Sequence, residues 1–238
     1  MIVMINNVIH RLEGRSASEL MRLTLLNARH SIKAMLPEAR RRERAFRAFD
    51  ERWGTDTFAI RELHTLAVDR SLATHARRYQ ASNGAGFPEW IASLGIDPTK
   101  HSFIDYGCGK GRAVFEAAQF PFARLIGVEF SAELVAIATA NRDLIAAQNG
   151  LKAPVDIICQ DAAQHIPPPG PLLCYFYDPF DVPIMAPVAD RLALLDQPIS
   201  IIYLEPNCIN EFRRHKGWHE QKVAGAITLQ NAAALAAY

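Results

Sequence analysis

Beyond Pro98 the sequence alternates, and that alternation limits the fold more than any other feature. Apolar, β-branched or aromatic runs lie at 102–105, 124–129, 155–159, 172–177 and 199–204. Helix-like stretches at 112–120, 132–149 and 183–195 separate most of them, with a short piece near 162–165. Strands joined by crossover helices specify a parallel sheet covered on both faces, because neighbouring parallel strands cannot be linked by a tight turn. Ligands of such sheets bind outside the carboxyl ends of the strands, where the strand order reverses. The residues directly after each strand are therefore the candidates for function.

The first of these positions is the most distinctive. The stretch Phe103-Ile-Asp-Tyr-Gly-Cys-Gly-Lys-Gly-Arg-Ala-Val114 reads as the end of a buried strand, a tight turn and the start of an Ala-rich helix. Glycines at 107, 109 and 111 remove the Cβ atoms that would hold a ligand away, and the turn brings backbone N–H groups and a positive helix end up to it. A dinucleotide fingerprint needs two residues between its second and third glycines, and here there is one. That spacing weakens a nicotinamide assignment.

Asp105-x-Gly107-Cys108-Gly109-x-Gly111 resembles instead the first motif of class I S-adenosylmethionine-dependent methyltransferases. The resemblance implies that the turn carries the methionine half of S-adenosyl-L-methionine. Asp105 and the glycine carbonyls would then accept from its ammonium, and the turn's N–H groups would donate to its carboxylate. Further stations follow in the family's order. Glu129 closes the second strand, eighteen residues past Gly111, where a carboxylate accepts both ribose hydroxyls; Ser131 after it is a ready helix cap. At the end of the third strand, Asp161 and the N–H of Ala162 correspond to the pair that reads the adenine edge, with Phe130 to cover its face. Asp161 also suits a local cap.

The fourth strand ends Tyr177-Asp178-Pro179-Phe180. It is similar to the family's fourth motif, in which an Asp or Asn before proline orients the methyl acceptor. It departs from the best-defined amine-methylating subgroup, which has two prolines before the aromatic. The resemblance assigns Asp178 and Tyr177 to catalysis and Asp178, Pro179 and Phe180 to acceptor binding. A structural Asp-Pro turn is the alternative. Tyr79 joins the acceptor side through a Gly-rich loop, 79–88, which with Trp53 and Phe87 nearby reads either as a lid or as packing of an appendage.

The resemblance covers about 97–204. The expected fold is α/β, a Rossmann-like methyltransferase sheet of parallel strands with helices on both faces. It closes with a reversed C-terminal hairpin of strands at 218–223 and 226–230, turned at Gly225. An N-terminal helical extension and acceptor-side loop occupies 1–96, and the cofactor domain 97–238. In the extension, Ser16 or Ser18 caps an amphipathic helix through Leu20, Leu23, Leu26 and Ile32. Arg40, Arg41, Arg42, Arg44 and Arg47 follow, either as a solvated face paired with Glu38, Glu43 and Glu51 or as a docking patch for an acidic partner.

Composition excludes little but agrees. A net charge of +1 over 238 residues indicates neither nucleic acid nor membrane as a global electrostatic partner. The four cysteines form no Cys-x-x-Cys pair, no apolar run reaches the length of a membrane helix, and no secretory leader is recognisable, so a cytoplasmic location is expected. His215 and His219 with Cys208 lack a second close ligand pair, and no metal is expected. The function expected is methyl transfer from S-adenosyl-L-methionine to an unidentified small-molecule or protein acceptor. The alternatives are a non-catalytic cofactor- or nucleotide-binding module and an NAD-dependent oxidoreductase. Acceptor and oligomeric state are not legible.

Overall fold

The structure is a computed structural model that describes residues 37–58 and 86–237. Tyr79, the helix expected through Leu20 to Ile32 and most of the 79–88 loop lie outside the described residues. The chain divides into two compact units, Met1–Ala45 and Phe46–Tyr238. Helix α1 (Pro37–Trp53) begins at the proline and continues into the second unit, and Arg40, Arg41, Arg44 and Arg47 on it are exposed.

The second unit is built on a seven-stranded sheet. Its strands are β1 (Ser102–Tyr106), β2 (Arg124–Glu129), β3 (Val155–Cys159), β4 (Leu172–Tyr177), β5 (Ile199–Leu204), β6 (His219–Val223) and β7 (Ala226–Gln230). Their spatial order is β3-β2-β1-β4-β5-β7-β6. The first five are parallel; β7 runs antiparallel to β5, and β6 antiparallel to β7. The order reverses between β1 and β4, which puts the ligand crevice at the carboxyl ends of those two strands.

Sequence explains these placements. β4 and β5 are almost continuously apolar and buried, as strands covered on both faces must be. β6, His-Glu-Gln-Lys-Val, is mostly exposed, and its charges protect a sheet edge from pairing with another chain. The β6–β7 turn places Ala224 and Gly225 both at positive φ, 47° and 79°, which is the backbone of a two-residue hairpin turn.

Helices α2 (Phe87–Leu94), α3 (Arg112–Ala117), α4 (Ala132–Ala147), α5 (Val182–Leu194), α6 (Asn210–Arg213) and α7 (Ala232–Ala236), with a single 3-10 turn at Pro98–Lys100, complete the described elements. Ser131 caps α4 as expected, its Oγ accepting from the Leu134 N–H at 3.3 Å. The short piece near 162–165 is a turn rather than a helix.

Two apolar cores flank the sheet. One joins α2 and α3 to the Phe103 and Tyr175 side; the other joins α5 and α6 to the Tyr106 and Phe176 side. Phe87 sits within 5.4–5.6 Å, ring to ring, of Trp90, Phe103 and Tyr175. Trp53 is 8% exposed, and its ring fills the space that a Cβ on Gly150 would need. Trp53 and Phe87 are therefore core residues, so of the two readings of these aromatics the packing one holds and the lid one does not. Their burial outweighs any benefit of facing a ligand, since aromatic side chains dominate core energetics.

Candidate functional site

The β1–α3 turn is wound directly against the end of β2. The N–H groups of Gly107 and Cys108 donate to Val128 O at 2.8 and 3.1 Å, and Gly111 N–H donates to Cys108 O at 2.8 Å. Gly109 N–H donates to Glu129 Oε2 at 3.0 Å. These four N–H groups are thus engaged by protein acceptors. The reason is geometric: a turn this tight satisfies its own donors against the neighbouring strand. Its glycines remain necessary. Gly107 has φ of 80°, and a Cβ there would stand 2.5 Å from Pro179 Cβ.

Glu129 and Asp105 form a buried acidic pair beneath the turn. Glu129 Oε1 accepts from Ser131 N–H at 2.9 Å, so its two oxygens bridge the glycine turn and the start of α4. Each carboxylate oxygen accepts more than one bond, which leaves capacity for hydroxyl donors. Burial raises the Glu129 pKa, against the opposing pull of hydrogen bonds from Ser131 and Gly109. Burial pushes Asp105 well above the usual carboxylate range, and the Glu129 charge pushes it further. A cation brought beside Asp105 would reverse that shift.

Along the β2 and β3 ends lies a shallow recess, open to solvent. Its lining includes Val128, Phe130, Gln160, Asp161, Ala162 and Phe180. Three residues read from the sequence as one station, Phe130, Asp161 and Ala162, thus share a wall. Phe180, read as an acceptor residue, lies with them, and its ring edge would come within 3.4 Å of a Cβ on Gly107. Asp161 Oδ1 accepts from Ala163 N–H at 2.9 Å, so the local cap is present too.

The β4 and β5 ends make a second, more open group. Asp178 and Glu205 have positive φ, 39° and 47°, and each precedes a proline. Left-handed backbone at a residue with a side chain costs about 1–3 kcal/mol, and a following proline favours extended backbone instead. Asp178 N–H donates to Leu204 O at 3.2 Å, which locks the two strand ends together. Asn207 Nδ2 donates to Asp178 Oδ2 at 2.7 Å, and Tyr177 hydroxyl to Glu205 Oε1 at 3.3 Å. Tyr177, Asp178 and Pro179 are therefore together as read from sequence. Glu205 and Asn207 were missed, although Glu205-Pro206 repeats the acid–proline step of Asp178-Pro179 one strand along.

Lys110 and Arg112 do not face the recess. The Lys110 ammonium meets Asp56 Oδ1 at 2.7 Å, and Arg112 pairs with Glu116 at 2.6 Å. His215 lies 2.8 Å from Asp190, and Cys208 is buried with its thiol towards Phe180 O. Among the described residues no group of three or more His, Cys, Asp or Glu is placed to hold a metal. Among them, too, no helix is long and apolar enough to cross a membrane.

Residues 99–215 match a family model described as a methyltransferase domain. The strand order and the glycine turn agree with that match, which makes the sheet and its crossover helices similar to a methyltransferase domain. Comparison with curated proteins finds no match to the sequence. Solved structures similar to the chain include the 23S rRNA methyltransferase ErmE, at 11% identity and TM-score 0.42, over 60% of this chain and 66% of that one. TrmN from Thermus thermophilus is 14% identical with TM-score 0.43, over 60% of this chain and 47% of its own. A precorrin-6y C5,15-methyltransferase from Geobacter metallireducens is 12% identical with TM-score 0.43, over 70% of this chain and 93% of its own. The chain spans less than two thirds of the first two.

Proposed function

We propose that the chain binds S-adenosyl-L-methionine along the carboxyl edge of β1, β2 and β3 and transfers its methyl group to a nucleophile held at the ends of β4 and β5. The observation that carries this is the convergence of three chemistries on one edge of the sheet. A buried acid stands at a glycine turn, a carboxylate with spare acceptor capacity closes β2, and an aromatic-walled recess with an acid closes β3. They suit, in order, an ammonium, a ribose and an adenine.

Bound there, the cofactor would supply a methyl group already activated by its sulfonium charge. The protein's task is then to place the acceptor and accept its proton. Asp105 would balance the ammonium, Glu129 would take the ribose hydroxyls, and Asp161 with Ala162 N–H would read the adenine edge beneath Phe130 and Phe180. Asp178, braced by Asn207, would accept a hydrogen bond from an acceptor N–H or O–H. Tyr177 would line the same end. The strain at Asp178 and Glu205 supports this assignment, because strained backbone persists where surroundings enforce a functional geometry.

The test is calorimetric titration of the intact chain with S-adenosyl-L-methionine, S-adenosyl-L-homocysteine and NAD. Micromolar binding of both adenosyl compounds without an NAD response is expected. Replacing Asp178 with Ala should then leave that affinity unchanged while abolishing methyl incorporation into any acceptor found by screening.

A further inference from the structure

The glycine turn has a second partner, the segment 50–58, which is the last turn of α1 and the stretch after it. Its folding is dictated by Asp50, whose carboxylate accepts from the Thr55 hydroxyl at 2.7 Å, the Thr57 hydroxyl at 2.6 Å and the Phe58 N–H at 2.8 Å. The segment so formed docks on the turn through residues that the cofactor assignment leaves unused. Lys110, between two of the motif glycines, has a fully buried side chain, and its ammonium meets Asp56. Asn141, from α4, accepts from Asp56 N–H at 2.9 Å and donates to both Asp56 O and Lys110 O at 3.1 Å. One amide thus ties the segment and the turn's peptide together.

Arg112 repeats the arrangement one residue past Gly111. Its Nη1 donates to Phe46 O at 3.3 Å and to the Thr57 hydroxyl at 3.2 Å, and its guanidinium lies 3.9 Å from the Phe49 ring centroid. Two cations at the start of α3 are unfavourable by themselves, because a helix N-terminus is its positive end. Their burial is explained by what they hold. Lys110 and Arg112 fix segment 50–58 to the turn, and the segment in return fixes the turn.

We infer that Asp56 is a positioning residue for the cofactor turn, acting through Lys110 and Asn141, so that the segment 50–58 is part of the cofactor-binding apparatus. This rests on the assignment of S-adenosyl-L-methionine to that turn. The Lys110 carbonyl held by Asn141 lies between Gly109, bonded to Glu129, and Gly111, which opens α3. Losing the Asp56 carboxylate removes the ion pair on the Lys110 side chain, one of the two ties on the peptide that spaces the ammonium end of the site from the ribose end; the Asn141 tie remains.

The experiment measures S-adenosyl-L-methionine affinity by calorimetry on the full chain and on Asp56→Ala, Lys110→Met and the double variant, below each variant's melting temperature. Asp56→Asn, which removes the charge but keeps a side chain of the same size beside Lys110, replaces the Ala variant if that one does not fold. Val188→Ala, in the α5 core, serves as a control of comparable destabilisation. Each single variant is expected to weaken binding roughly tenfold, with the double variant no weaker than either single one. Asp56→Glu should recover most of the loss, and Val188→Ala should retain wild-type affinity. Wild-type affinity in Asp56→Ala, or an equal loss in Val188→Ala, overturns the inference alone. Absence of binding to the unaltered chain overturns the cofactor assignment and the inference with it.

Discussion

The two halves of the crevice are built in opposite ways. At the ends of β1 and β2 the acids are buried, four of the turn's N–H groups are satisfied by protein acceptors, and Glu129 bridges two elements. At the ends of β4 and β5 the side chains of Glu205 and Asn207 are exposed and the backbone is strained at two acid–proline steps. The first half spends its polar groups on its own shape, which suits a ligand common to many enzymes. The second pairs Asp178 with Asn207 and Tyr177 with Glu205 on a locked backbone at a more exposed end, which suits a site whose partner differs from one enzyme to the next. Gly107, pressed against Pro179, is the point where the two meet.

The largest effect should come from that point. Gly107→Ala places a Cβ 2.5 Å from Pro179 Cβ on a backbone with φ of 80°. Steric overlap and left-handed strain together should cost about 3 kcal/mol, read by denaturant unfolding, and should remove cofactor binding and disturb the Asp178 loop at once. A variant that unfolds normally and binds normally would show the halves to be independent.

Next, Glu129→Ala removes the acceptor for Gly109 and Ser131 N–H and for the proposed ribose. Titration should show a loss of about 100-fold in cofactor affinity, on the scale of charge-assisted hydrogen bonds. Unchanged affinity would remove the ribose assignment and leave Glu129 as a brace.

Asp105→Asn should sharpen the comparison through pH. The folded-state pKa of Asp105 is raised, so the stability linked to its protonated form is fully present below the unfolded value, near 3.9. That stability is lost as pH rises through the raised folded value. The Asn variant lacks this loss. Its melting temperature should therefore exceed that of the unaltered chain by a margin that grows as pH rises above about 4, while its cofactor affinity falls. A margin that shrinks with pH would contradict the placement of Asp105 as a buried, proton-retaining acid.

The smallest effect belongs to the open half. Asn207→Ala at an exposed position should change stability by no more than about 0.5 kcal/mol and leave cofactor affinity intact. Its cost should appear only in methyl transfer, as a lowered kcat, once an acceptor is in hand. A loss of cofactor affinity would place Asn207 with the closed half.

What was legible in the sequence follows the same division. The bounds of β2, β3, β4, β5 and β7 could be read because continuous β-branched and aromatic runs have few other uses. Glu129, Phe130, Asp161 and Ala162 could be placed because they stand directly after strands, where topology decides their direction. The direction of Trp53 and Phe87 could not, since an aromatic beside a loop packs inward or outward without changing local pattern. The Asp56–Lys110–Asn141 network was invisible for another reason. Its members lie 54 and 31 residues apart, joined only by folding. The left-handed backbone of Glu205 leaves no trace in composition, though its repeat of the Asp178-Pro179 step was a signal that could have been used.

The most direct test of the central claim is the titration of the intact chain with S-adenosyl-L-methionine alongside NAD. The account predicts one site per chain of micromolar affinity for the adenosyl compound and no heat from NAD. Binding of NAD alone, or of neither, would contradict it and leave the methyltransferase assignment a matter of fold.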